Sequence, residues 1–161
     1  MLNQIYFIIT QRCNYQCPFC IRDNLDGKDV EINVEHAKDA LSMLSESYAN
    51  SALIITGGEP LLHPYWDDII HFATLRFPIV SISTNGSFSS NTALALIKYL
   101  QNNLNLQMSL DGTKDVHDSI RGNGAYNKVI ENLSLLKNYS SHISISTTVG
   151  VRNIYDVPNL A

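Results

Sequence analysis

Five short runs of β-branched and apolar residues recur along the chain, at residues 5–10, 52–56, 79–84, 104–110 and 142–149. The second to fifth end in sharp-turn residues: Gly57-Gly58, Asn85-Gly86, Asp111-Gly112 and Gly150. Such pairs break a strand because glycine reaches positive φ without steric cost. Between the runs the apolar spacing changes from two to three and four. Val34, Ala37, Leu41, Leu44 and Tyr48 mark one helical face, with Asn33 as its N-cap. Residues 65–76 place Ile69, Phe72 and Ala73 on another, with Asp67 and Asp68 at the positive end of the helix dipole. Ser90 caps a third helix carrying Ala93, Ile97 and Leu100, and Tyr126, Val129, Leu133 and Leu136 define a fourth. Asn153 to Asp156 reads as the start of a fifth. Strand and helix alternating at this pace predict an α/β fold: a parallel sheet with crossover helices.

Length then sets how much of such a fold is present. An eight-unit barrel of about 250 residues spends about 31 per unit. By that measure 161 residues make five βα units in one domain, residues 1–161. Apolar residues are 45% and charged residues 16%, enough apolar surface to offset the entropy of folding. The net charge of −4 argues against a nucleic-acid binder, which needs a basic footprint. No apolar run approaches the roughly 18 residues of a membrane span, and the first ten residues lack a basic region and a cleavage site. A cytoplasmic chain is expected.

All three cysteines fall between residues 13 and 20. An odd, clustered set closes no useful loop, which excludes a disulfide framework. Cys13, Cys17 and Cys20 follow the first strand, at the barrel rim where βα folds keep their active sites. Three thiolates at spacings of four and three residues can ligate a corner of an iron–sulfur cubane, which normally takes four cysteines, and leave one iron open. The competing chemistry is structural zinc, with His36 or His63 as a fourth ligand. The polar neighbours Arg12, Asn14 and Gln16 rule against three core cysteines.

C-x3-C-x2-C with Phe19 before the last cysteine resembles the signature of the radical S-adenosylmethionine (SAM) superfamily. Gly57-Gly58-Glu59-Pro60 resembles its GGEP motif, and Ser83-Thr84-Asn85-Gly86 its S/T-N-G turn. Ser109-Leu110-Asp111-Gly112, with His117-Asp118 and Ile120-Arg121-Gly122, is similar to the peptide-modifying branch that includes sulfatase maturases and peptide maturases. The resemblance implies a partial parallel (β/α) barrel, of which five of the usual six βα units are present. It implies a 4Fe–4S cluster on Cys13, Cys17 and Cys20, with the amino and carboxylate groups of SAM on the fourth iron. One electron would then cleave SAM to methionine and a 5′-deoxyadenosyl radical that abstracts hydrogen from the substrate.

Further residues take expected roles in that frame. Gly57 and Gly58 let backbone approach the methionyl ammonium, and Glu59 offers it a charged acceptor. Phe19 gives the adenine an apolar face, or packs under its own loop. Thr84, Asn85 and Ser109 suit ribose hydroxyls or the carboxylate, with turn chemistry as the other reading. Arg121 suits a carboxylate, of SAM or of substrate, or is a solvated surface residue. Asp111 is read as a cap of the following turn in preference to a substrate-positioning residue, and His117 as a surface residue in a polar loop in preference to a catalyst. No catalytic residue is assigned.

The resemblance implies a peptide or protein substrate and an electron donor such as a flavodoxin or ferredoxin. A nucleotide-derived small molecule, a glycyl-radical activase role and a noncatalytic metal- or partner-binding piece are the alternatives. The sixth strand is absent, and no cysteine follows residue 20 to bind an auxiliary cluster. The chain is accordingly read as a piece of a longer protein, or as a minimal form completed by a partner chain.

Overall fold

The computed structural model describes residues 3–20 and 30–160. Five strands, β1 (Gln4–Thr10), β2 (Ala52–Gly57), β3 (Val80–Thr84), β4 (Leu104–Ser109) and β5 (Ile143–Ser146), form one sheet in chain order. Every pairing is parallel. Parallel neighbours cannot be joined by a tight turn, so each pair is bridged by a crossover segment. The helices are α1 (Val34–Ser47), α2 (Trp66–Thr74), α3 (Ser90–Leu100), α4 (Lys114–Arg121) and α5 (Ala125–Leu135). The first helix starts where its cap predicts: the Asn33 side chain accepts from the backbone N–H groups of Glu35 and His36.

One face of the sheet carries the core. Leu53 and Ile55, Val80 and Ile82, and Leu104, Leu106 and Met108 are fully buried among Leu41, Ile69, Ile70, Leu96 and Val129 of the helices. Strand alternation sends the intervening residues to the other face. Register sets Tyr6 beside Ile54, Ile54 beside Ser81, Ser81 beside Asn105 and Gln107 beside Ser144. Tyr6 and Ile8 on that face are 67% and 54% exposed, so it is uncovered. The sheet does not close among the described residues: β1 and β5 each pair with one strand, and β1 has on its other side only a single antiparallel bridge from Thr10 to Glu31. The result is the partial barrel expected.

Four local expectations need correction. The third helix is capped by Ser89, one residue before Ser90, whose side chain accepts from Thr92 N–H. The fifth strand ends at Ser146, because the chain then turns to bond the end of β4 through Thr147 and Thr148. His117, read as lying in a polar loop, sits instead in the helix α4, which buries only His117 and Ile120. So thin an apolar stripe escapes a periodicity reading. Residues 153–156 form turns rather than an α-helix, ahead of a short 3-10 segment (Val157–Leu160).

Candidate active site

The cysteine loop leaves β1 and is pinned at its base before it reaches Cys13. Gln11 N–H donates to Val30 O and Ile32 N–H to Ile9 O, closing the excursion into a neck. The end of β2 clamps the same neck: Gly58 N–H donates to Thr10 O and Glu59 N–H to Arg12 O, at 2.8 and 2.7 Å. A Cβ on Gly58 would overlap the Arg12 carbonyl, and one on Gly57 the Thr10 carbonyl. The two glycines are thus required by the close approach of the protein's own loop. That is a different reason from the ligand approach expected of them.

The carboxylate of Glu59 is 2% exposed and turned into the protein. Oε1 accepts from Thr84 Oγ1 at 2.7 Å and Leu61 N–H at 3.2 Å, and Oε2 from Asn85 N–H at 2.7 Å. Burial pushes its pKa up, against the pull of those donors. Glu59 therefore ties the end of β2 to the end of β3, which corrects the expectation that it presents a free acceptor to an ammonium. Thr84 is committed in the same way, since its hydroxyl donates to Glu59 and accepts from Gly86 N–H.

Asn85 couples this turn to the cysteines. Its Nδ2 donates to Asn14 Oδ1 at 2.9 Å and, at 3.8 Å, to Cys13 Sγ, while its Oδ1 accepts from Ser87 N–H. Asn14 completes the lock by donating from Nδ2 to Ser87 Oγ at 2.8 Å. Gly86 sits at φ 77°, and Asn132 of α5 supports the turn from below by donating to Gly86 O and Phe88 O. Asn14, Ser87 and Asn132 were not singled out from sequence. No local pattern marks polar residues whose partners lie 44 to 73 positions away.

These ties place Cys13, Cys17 and Cys20 on one cavity of about 380 Å³. Phe19, Gly57 and Gly58 line it, with Thr84 at the end of β3 and Asn85 just after it, Ser109 from β4, and Arg121 from α4. Glu59 alone among the expected ligand-site residues lies outside it, on a neighbouring cavity with Leu61 and Phe88. Burial pushes the Cys17 thiol up, and the Arg121 guanidinium opposes that shift. Arg121 is 9% exposed at its side chain, which discards the solvated reading. A second cavity of about 290 Å³ adjoins across Phe19, between Ile120 and the turn carrying Val149 and Val151.

Among the described residues no three His, Cys, Asp or Glu groups converge on a point that would hold a single metal ion. His36 is exposed on α1, and His63 is buried against Ile32 O and Tyr65 N–H, so neither completes a tetrahedral zinc set. Three thiols spread around a cavity of this size suit a multi-iron cluster, whose ligands attach to different metal atoms.

Two more expectations are corrected here. His117 is fully buried, edge-on to Tyr126, and its Nδ1 accepts from Asp111 N–H at 3.0 Å. Asp111 is also fully buried, and its carboxylate joins Arg121 and Thr148 rather than capping its own turn. Burial, then the Arg121 charge, lowers the His117 pKa, while the Asp111 and Asp118 carboxylates oppose the shift. The folded protein binds this proton less readily than the unfolded chain. Stability from this group is therefore complete above the unfolded pKa of about 6.5 and is lost as pH falls through it, by up to about 1.4 kcal/mol per pH unit. Urea midpoints at pH 7 and pH 5 should show a smaller acid loss in His117→Gln than in the parent; equal losses would disprove the assignment.

An open, all-parallel α/β half-barrel with a three-thiol loop at the C-terminal ends of its strands defines a cofactor-binding core. The chain belongs to the Radical SAM superfamily, whose profile matches residues 7–158. That family works with a 4Fe–4S cluster and S-adenosylmethionine, and its members are enzymes. The chain is 28% identical to the antilisterial bacteriocin subtilosin biosynthesis protein AlbA of Bacillus subtilis (strain 168), over 96% of this chain and 35% of that protein. It is 29% identical to the mycofactocin maturase MftC of Mycobacterium tuberculosis (strain CDC 1551 / Oshkosh), over 95% and 39%. The solved structure of native anSMEcpe with bound AdoMet and Cp18Cys peptide shares the fold with a TM-score of 0.79 at 19% identity, over 99% of this chain and 47% of that one. The chain thus spans 35% and 39% of the length of these two curated relatives and 47% of the solved chain. No helix among the described residues is long and apolar enough to cross a membrane.

Proposed function

We propose that this chain is the cofactor-handling core of a radical SAM enzyme that modifies a peptide or protein side chain. The carrying observation is the single cavity on which three thiols, the β2 end, Ser109 and Arg121 meet. In this reading Cys13, Cys17 and Cys20 hold three irons of the cluster, and the fourth iron is left for the amino and carboxylate groups of SAM. When bound, cluster and SAM together supply a 5′-deoxyadenosyl radical, and the protein supplies binding, orientation and exclusion of water.

The residues divide that work. Gly57 and Gly58 line the cavity with backbone, and carbonyls there accept from the ammonium. Ser109 offers a hydroxyl to the carboxylate or ribose, and Arg121 pairs with the carboxylate. Phe19, with Val149 and Val151 across the adjoining cavity, gives the adenine its apolar surface. Glu59, Thr84 and Asn85 act one step back, holding the loop that carries the cysteines. The uncovered sheet face, with Tyr6, Ile8, Ser81, Ser83, Asn105 and Gln107, is the side from which substrate reaches the site.

The relatives named for bacteriocin biosynthesis and mycofactocin maturation support a peptide substrate. The electron would come from a small cytoplasmic carrier such as a flavodoxin or ferredoxin, and a further segment or partner chain would cover the edges of β1 and β5. Anaerobic reconstitution should load about four irons and four sulfides per chain. Dithionite and SAM should then yield 5′-deoxyadenosine and methionine. A reduced, cluster-loaded chain that binds SAM without cleaving it would overturn the reading, as would one zinc per chain.

A further inference from the structure

Asp111 lies just past the end of β4 and is fully buried, so its charge must be compensated within the protein. Four contacts define it. Oδ2 accepts from Arg121 Nε, Oδ1 accepts from Thr148 N–H at 2.9 Å, its backbone N–H donates to His117 Nδ1, and its backbone carbonyl accepts from Asn153 Nδ2 at 2.7 Å. The carboxylate is thereby anchored to β4, α4 and the chain after β5 at once.

Arg121 is the last residue of α4, and its guanidinium carbon stands 5.9 Å from the Phe19 ring centre. Only Nε is engaged by Asp111, and among the described residues no other group hydrogen-bonds the guanidinium. The side chain lines the cavity that holds the three thiols. A guanidinium has five N–H donors in a planar fork, and holding it through Nε leaves the two terminal nitrogens as a pair matched to a carboxylate.

We propose that Asp111 is a positioning residue, which fixes Arg121 through Nε so that its terminal fork takes the carboxylate of SAM. This rests on the proposed function, in which Arg121 meets that carboxylate. Asp111 works through orientation, not charge. Its own negative charge opposes the attraction of the arginine for an anion, but a long side chain held in one rotamer loses less freedom when it binds.

The test is equilibrium dialysis on the cluster-loaded full chain, with SAM and with the amine analogue that lacks the carboxylate. Asp111→Asn keeps the shape but offers one acceptor where two donors converge. It should weaken SAM binding at least about tenfold and the analogue less than about twofold, and add no further loss in an Arg121→Gln background. Equal loss for both ligands, or no loss, while Arg121→Gln alone still discriminates between them, would overturn the role of Asp111. If Arg121→Gln does not discriminate either, the carboxylate role of Arg121 falls, and this inference with it. Should Asp111→Asn fail to fold, the parent protein still decides. Its Arg121 Nε–H should give a slowly exchanging resonance in ¹⁵N spectra that shifts on adding SAM but not the analogue, and a rapidly exchanging Nε–H would refute the proposal.

Discussion

Serine at position 13, 17 or 20 is expected to abolish cluster loading and 5′-deoxyadenosine formation together. The chain has three cysteines and no fourth that could substitute. A serine hydroxyl does not ionise near neutral pH, so it cannot replace a thiolate that metal binding deprotonates. The effect should be the same at all three positions although their surroundings differ: Cys17 is 8% exposed, whereas Cys13 and Cys20 are half-buried. Iron content and the visible absorption of the reconstituted chain measure the first effect, and chromatography of the reduced reaction mixture measures the second. The thermal midpoint of the metal-free protein should move little, because the loop is clamped mainly by backbone bonds from Gln11, Gly58 and Glu59, and the Cys13 thiol adds only long contacts from Asn85 Nδ2 at 3.8 Å and Tyr15 N–H at 3.5 Å. A serine variant that keeps a full iron complement would disprove the ligand assignment.

Glu59→Ala should be the most destabilising single change at the site. It leaves the Thr84 hydroxyl and the Leu61 and Asn85 N–H groups without their acceptor in a buried setting. At roughly 1–3 kcal/mol per orphaned donor, partly relieved by entry of water, the loss is about 3–5 kcal/mol. Glu59→Gln keeps one acceptor oxygen and turns an amide N–H₂ toward another donor, for about 1–3 kcal/mol. Urea unfolding of the metal-free chain reads both. This result separates two roles for the residue. If Glu59 contacted an ammonium directly, Glu59→Gln would lose SAM affinity with stability intact. If it ties β2 to β3, stability falls and the SAM affinity of the folded fraction stays within about twofold. The geometry predicts the second outcome.

The same residue shows where sequence reading reached its limit. Gly57-Gly58-Glu59-Pro60 was recognisable as a functional tetrapeptide, but not as a tie between two strand ends. A tetrapeptide does not reveal which way a carboxylate points, and here the answer depends on Thr84 and Asn85, more than twenty residues away. His117 failed for a related reason. Flanked by Val116 and Asp118 it reads as polar surface, but α4 turns it onto Asp111 and Tyr126. Asn153, read as part of a helix start, instead donates to Asp111 O and Thr148 O and helps fix the buried node.

What the amino-acid order determined by itself was everything carried by local periodicity and short spacing. That includes five strands, with glycine turns after β2, β3 and β4, the Asn33 cap, the parallel α/β class, the three-thiol loop and the family. These depend on interactions within a few residues, where geometry follows directly from backbone stereochemistry and side-chain spacing. Tertiary structure alone decided which polar side chains face the cavity and which hold its walls. Glu59, Thr84, Asn85 and Asp111 are the same kinds of residue in either role. Only the long-range hydrogen bonds, with each buried donor and acceptor requiring a partner, tie them into the walls, while Ser109 and Arg121 line the cavity.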